Sequence, residues 1–152
     1  MRALIQRVKE ATVSIKGSVH NEIGKGFLIF LGISHKDTKD EATYLAQRCA
    51  DIRIFGDEQE KMNLSINDCG GSALVISQFT LYADTRKGNR PSFTDAATPD
   101  VAESLYEEFI GRLMGELGEP RVKKGVFRAM MDVKLINDGP VTILIESKEK
   151  EQ

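Results

Sequence analysis

Apolar and polar residues alternate near the start of the chain. Ala11, Val13 and Ile15 take one side and Thr12, Ser14 and Lys16 the other, the period-two signature of a strand with one buried face. Met1 to Val8 reads as a partner strand. Phe27-Leu28-Ile29-Phe30-Leu31 is apolar at successive positions, which predicts a central strand covered on both faces, and Gly24-Lys25-Gly26 ahead of it is a turn signal. The period then changes. Ala42, Leu45, Ala46, Cys49 and Ile52 recur at helical spacing, behind a capping box of Thr38 and Glu41. A second helix starts at Thr98 with Pro99 in its first turn. Val101, Leu105, Phe109 and Leu113, flanked by Ala102, Tyr106, Ile110 and Leu117, form its apolar face, and Gly118 ends it. Ala73 to Leu81, Met131 to Ile136 and Val141 to Ile145 complete the strands. The last two flank Asn137-Asp138-Gly139-Pro140, a composition that predicts a hairpin turn. Strands, helix, strand, helix, strands in that order predict an α/β layered fold with mixed sheets and two main helices on one side. No internal repeat or linker interrupts 1–152, so one domain is expected.

Composition narrows the function classes. A chain of 152 residues is long enough to bury a substantial core. The longest apolar stretch, Phe27 to Ile33, is broken by Gly32 and too short to span a bilayer. With no secretory leader pattern at the start, a cytoplasmic location and no membrane partner are expected. Cys49 and Cys69 lack metal-ligand spacing and are too few for a disulfide framework, so two idle thiols are expected. A net charge of −2 argues against a protein that coats long nucleic acid, and no DNA partner is expected. It leaves room for one that grips only an RNA tip through a local basic cluster such as Arg86-Lys87-Gly88-Asn89-Arg90.

Familiar catalytic templates are missing. His20 and His35 both stand in turn-like stretches, with no spacing that folds either against a nucleophile. Metal-binding and nucleotide-binding motifs do not occur, so neither a metal nor a cofactor is expected. Two polar segments remain. In Ser77-Gln78-Phe79-Thr80, an apolar strand ends in hydrogen-bonding side chains, which reads as a fraying strand end or as a place where a substrate meets the chain. The other, Asn137-Asp138-Gly139-Pro140-Val141-Thr142, reads as an ordinary turn or as the site of a cis Gly-Pro step.

These segments, with Met1-Arg2-Ala3-Leu4-Ile5-Gln6-Arg7-Val8, Arg53-Ile54-Phe55, Lys61-Met62-Asn63-Leu64-Ser65 and the run from Ser77 to Phe93, resemble the D-aminoacyl-tRNA deacylase (D-tyrosyl-tRNA deacylase) family in order and spacing over nearly the whole chain. The resemblance implies a three-layer β/β/α fold and a homodimer with active sites at the subunit interface. It also implies hydrolysis of the ester between tRNA and a D-amino acid, or glycine mischarged on tRNA(Ala). By the same resemblance, Ser77, Gln78, Phe79 and Thr80 line the catalytic pocket. Gly139 and Pro140 form a cis step inserted into the partner's pocket, Arg7 holds that step, and Asn137 belongs to the same motif. Phe127, Ala129 and Met131 match the stretch that walls the terminal adenosine. The sequence departs there, because Arg128 stands where the family usually has Gly.

The implied chemistry makes physical sense. L and D substrates carry the same side chains, so an enzyme that separates them must test the direction of the Cα substituent. Backbone carbonyls that crowd the volume of an L side chain reject every L residue by clash and admit glycine. For bond breaking, Thr80 Oγ as nucleophile would need a base that the sequence does not present. The free 2′-hydroxyl of the terminal ribose can assist instead, with backbone N–H groups near Phe79 and Thr80 holding the oxyanion. Arg86, Lys87 and Arg90 are candidate contacts for acceptor-end phosphates. A non-catalytic RNA-binding module and an amidohydrolase acting on small D-amino acid derivatives are the rival readings.

Overall fold

The structure is a computed structural model that describes residues 1–147. Its elements are β1 (Arg2–Ile15), β2 (Ser18–Ile23), β3 (Gly26–Gly32), α1 (Lys39–Asp51), β4 (Phe55–Gly56), β5 (Met62–Leu64), α2 (Ile66–Cys69) and β6 (Ser72–Ser77). A 3₁₀ turn over Phe79–Tyr82, α3 (Pro99–Leu117), a 3₁₀ turn over Glu119–Arg121, β7 (Val122–Lys124) and β8 (Asp132–Glu146) follow. One mixed sheet runs β2-β1-β3-β6-β7, with β8 on the free side of β1. β3 lies antiparallel to β1 and parallel to β6. β4 and β5 form a separate two-stranded ribbon.

The sheet is buried on both faces, as the apolar run of β3 predicts. Phe27, Ile29 and Leu31 face α1 and α3, where they meet Leu45, Cys49, Tyr106 and Phe109. Leu28 and Phe30 point the other way, into a second cluster with Val8, Val13, Leu74 and Ile76 that the curling strands enclose. Helices, sheet and curled strands make the β/β/α layering. Burying one such Phe or Leu contributes about 1.5–3 kcal/mol, so each face carries real stability. Thr38 and Glu41 form the predicted capping box of α1. Pro99 opens α3 and Gly118 closes it, although the Thr98 side chain makes no cap hydrogen bond.

Three expectations need correction. Met1–Val8 and Ala11–Ile15 are not partner strands but one long β1. Ile5 faces the helix-side core and Val8 the other, as alternation requires, but Ala11 and Val13 then join Val8 in the second core, so the side-chain parity switches between Val8 and Ala11. The switch coincides with register shifts against β8 around Val8, and such irregularities let one strand serve two layers. Met131–Ile136 and Val141–Ile145 are not a hairpin either. They are the two halves of β8, both antiparallel to β1, with Asn137 opposite Val8 and Thr142 opposite Gln6. The turn-forming residues between them bulge out of a continuous strand. Finally, the strand begun at Ala73 stops at Ser77 rather than Leu81, because its neighbour β3 ends and the chain coils into the 3₁₀ turn.

Candidate active site

Ser77 closes β6 beside Leu31, and the Gln78 N–H makes a last sheet-like bond to Leu31 O at 2.8 Å. The 3₁₀ turn then sits directly on the end of β3. A Cβ on Gly32 would lie 2.9 Å from Leu81 Cβ and 3.2 Å from Gln78 O, so this close approach requires glycine. Arg2 clamps the turn from β1: its Nη1 donates to Leu81 O at 2.7 Å, and its guanidinium lies 4.5 Å from the centre of the Tyr82 ring. Nothing in the sequence marked Arg2 as part of this site beyond its place in the opening motif.

The turn presents two kinds of group. Gln78 Nε2 donates to Thr80 Oγ1, which ties the two polar side chains together. The backbone N–H groups of Phe79 and Thr80 open the turn, and neither donates to a protein acceptor among the described residues. A short helical turn always leaves such donors at its start. Here they are exposed with their residues, where they can receive developing negative charge. Phe79, 56% exposed, meets Phe93 edge-to-face with ring centres 5.0 Å apart.

The bulge in β8 is braced from several sides. Asp138, Gly139, Pro140 and Val141 face only Arg7 on β1. The Gly139-Pro140 peptide is cis and Gly139 has φ 136°. Arg7 Nε donates to Asp138 O at 3.1 Å, and Arg7 Nη1 reaches Ile54 O at 2.6 Å, so one guanidinium ties the bulge to the segment before β4. Asn137 Oδ1 accepts from the Val141 N–H at 2.9 Å, closing the bulge at its base. Asn137 Nδ2 and Gln6 Nε2 donate to Thr142 Oγ1 at 3.1 and 3.2 Å. Val141 drops into the helix-side core while Gly139 and Pro140 stay exposed. Gln6 and Thr142 carry no site signal of their own in the sequence; only the pairing around the bulge reveals their role.

Phe127, Arg128, Ala129 and Met131 come to the same end of β6 as Ser77, because the Gly125 N–H donates to Val75 O at 3.1 Å. Phe127 packs against Tyr106 at 5.9 Å, Met131 borders the second core, and Met130 is 91% exposed. Ala129 N–H closes a turn onto Val126 O at 3.2 Å, and inside it Arg128 has φ 66°. That left-handed conformation favours glycine, which accounts for the family's usual residue; nothing in the structure explains the Arg in its place. The basic loop is pinched shut by two backbone hydrogen bonds between Asp84 and Ser92, at 2.7 and 2.9 Å. Arg86 folds back on Asp84, with Nε 2.9 Å and Nη2 2.7 Å from the carboxylate, and this hydrogen bonding holds the Asp84 carboxyl down at about 2. Lys87 and Arg90 point to solvent without such partners among the described residues.

His20, on β2 rather than in a turn, and His35 are both exposed. Cys49 is buried, which pushes its thiol up to about 12, and Cys69 is half-buried; neither is paired. No group of three or more His, Cys, Asp or Glu among the described residues is arranged to hold a metal ion.

A model of the family described as D-Tyr-tRNA(Tyr) deacylase matches residues 4–146. This chain belongs to that family. A D-aminoacyl-tRNA deacylase of Thermus aquaticus is 56% identical over 150 residues, covering 99% of this chain and 97% of that one. The corresponding protein of Chloroflexus aurantiacus is 55% identical over 149 residues, covering 98% and 92%. Among solved structures, a protein titled c-Myc DNA Unwinding Element Binding Protein superposes with a TM-score of 0.94 at 38% identity, covering 98% of this chain and all of that one. A probable eukaryotic D-amino acid tRNA deacylase shares the fold, with a TM-score of 0.82 at 17% identity over 95% of this chain and 98% of that one. Against these relatives the two polar segments acquire a common frame: both lie within the family match, and both carry backbone groups turned outward.

Proposed function

We propose that this chain hydrolyses the ester joining a D-amino acid, or glycine mischarged on tRNA(Ala), to the 3′-terminal ribose of tRNA, and that it does so as a homodimer. The family membership supports the reaction. The observation that carries the rest is the separation of the two polar segments within one chain. The bulge faces Arg7, which is level with Phe27 and through it with Ala73. Ser77 lies four residues further along β6, or roughly 13 Å at about 3.3 Å per residue. That separation within one chain supports a site completed by the bulge of a second copy.

In this reading the bulge of one subunit enters the pocket of the other. Its braced, outward-facing backbone at Gly139-Pro140 occupies the volume an L side chain would need and leaves room for hydrogen or a D substituent. Ser77, Gln78 and Thr80 orient the ester. Water attacks the carbonyl carbon, the oxyanion rests on the N–H groups of Phe79 and Thr80, and the bond to the ribose 3′-oxygen breaks. The neighbouring 2′-hydroxyl relays the proton to that leaving oxygen, so the products are the free amino acid and tRNA with an intact 3′-hydroxyl. Phe127, Ala129 and Met131 lie on the adenosine side, and Lys87 and Arg90 face acceptor-end phosphates. With a net charge of −2 the chain has no excess of cations for coating duplex DNA.

The test is a direct one. With D-Tyr-tRNA and L-Tyr-tRNA as paired substrates, the D ester is lost and the L ester survives. Loss of neither would refute the activity; equal loss would refute the chiral filter. A tRNA ending in 2′-deoxyadenosine, charged with the D residue, loses its cleavage if the 2′-hydroxyl assists.

A further inference from the structure

The closed loop between Asp84 and Ser92 displays Arg86, Lys87 and Arg90, but not on equal terms. Lys87 and Arg90 are exposed and lack side-chain partners among the described residues. Arg86 is 84% exposed, yet both ends of its fork lie on the Asp84 carboxylate. The same carboxylate accepts the Arg86 backbone N–H at 3.1 Å. The Asp84 backbone is itself fixed by its two bonds to Ser92. A bidentate guanidinium–carboxylate pair uses the same planar fork that would grip a phosphate. An isolated surface pair is easily exchanged. This one is different because both partners sit two residues apart in a loop whose ends are already pinned, so little ordering is left to lose.

We propose that Asp84 is a built-in phosphate mimic that keeps Arg86 out of RNA contact, so that the loop engages the tRNA backbone through Lys87 and Arg90 alone. The proposal rests on the reading of this loop as an acceptor-end contact. The carboxylate stays ionised throughout the working pH range, so the masking is constant rather than switched. Its use follows from the reaction. Substrate and product tRNA carry the same phosphates, and a grip common to both tightens binding without speeding the chemistry. Masking one of three cations limits the hold on product. Asn at position 84 keeps the oxygen that accepts the Arg86 N–H and removes only the charge.

The experiment measures binding of an uncharged tRNA transcript across a tenfold range of salt, on dimeric protein whose melting temperature has been checked. Lys87→Ala and Arg90→Ala should each flatten the slope of log K against log salt by about 0.7–0.9, the value of one phosphate contact. Arg86→Ala should leave the slope unchanged. Asp84→Asn should steepen it by about the same amount, an extra loss of roughly five- to eightfold over that salt range, and make uncharged tRNA a stronger product inhibitor. The double variant Asp84→Asn/Arg86→Ala should return to the wild-type slope. If Arg86→Ala flattens the slope as much as Arg90→Ala does, or Asp84→Asn leaves it unchanged, the masking is refuted. No change with Lys87→Ala and Arg90→Ala would refute the loop as an RNA contact, and the masking with it, while leaving the deacylase activity to its own assay.

Discussion

The two polar segments differ in how they are held. Ser77–Thr80 is a strand end running into a short turn: its side chains bond mainly to each other, and two backbone N–H groups are left open. The bulge at Asp138–Val141 is the opposite. Arg7, Asn137, Gln6 and Thr142 brace it, and its glycine and proline alone face outward. The difference suits the proposed division of labour. A group that must follow charge as it develops needs free donors. A group that judges shape must not yield, because a filter that gives way by a fraction of an ångström admits what it should exclude.

The comparison can be broken most severely at Gly139. A Cβ there would lie 2.8 Å from Val141 Cγ2 and 3.0 Å from Val141 N, on a backbone with φ 136°. Gly139→Ala should therefore shift the bulge. We expect D-Tyr-tRNA cleavage to fall on the order of 100-fold, with a stability loss of about 1–3 kcal/mol read from thermal melts. Arg7→Ala comes next. It strands the carbonyls of Asp138 and Ile54, for about 1–3 kcal/mol, and should narrow the D-over-L rate ratio more than it slows D cleavage. Arg7→Lys should not restore the ratio, since one ammonium cannot replace a fork that reaches two carbonyls.

On the other segment smaller effects are expected. Thr80→Ala removes one positioning hydroxyl and should cost roughly two- to tenfold in turnover. Loss of nearly all turnover with binding intact would instead make Thr80 the nucleophile. The smallest change expected is a gain. Arg128→Gly relieves a left-handed backbone and should stabilise the protein by roughly 0.5–1 kcal/mol, seen as a melting temperature a few degrees higher.

Much of the fold was legible in the sequence because its signals are local. The capping box at Thr38, the proline at the start of α3 and the doubly apolar β3 all state their own structure. The bulge was not legible in the same way. Asn-Asp-Gly-Pro is ordinary turn chemistry, and only pairing of both flanks with one strand, β1, turns a hairpin into a bulge. Pairing is a long-range property that periodicity does not carry. Likewise Arg2 and Gln6 sit in an alternating strand and gain their roles from carbonyls and hydroxyls far along the chain. The resemblance to the family pointed to Gly139, Pro140 and Arg7, and residue patterns alone would have stopped short of them. Arg86 is the reverse case: the three cations of the loop are equivalent in sequence, and only the fold sets Asp84 on one of them.

In the proposed dimer, a complete site takes the bulge from one chain and the Ser77–Thr80 turn from another. Cross-linking tests it directly. One protein carries Pro140→Cys and a second, differently tagged, carries Thr80→Cys, both with Cys69→Ser and with Cys49 left buried in the core. The two are co-expressed and treated with a short bifunctional maleimide whose spacer is well under the intrachain separation. A shared site yields a covalent species carrying both tags, suppressed by a tRNA bearing a non-hydrolysable D-aminoacyl amide. Absence of that species, or cross-linking within a single chain carrying both cysteines, would contradict it.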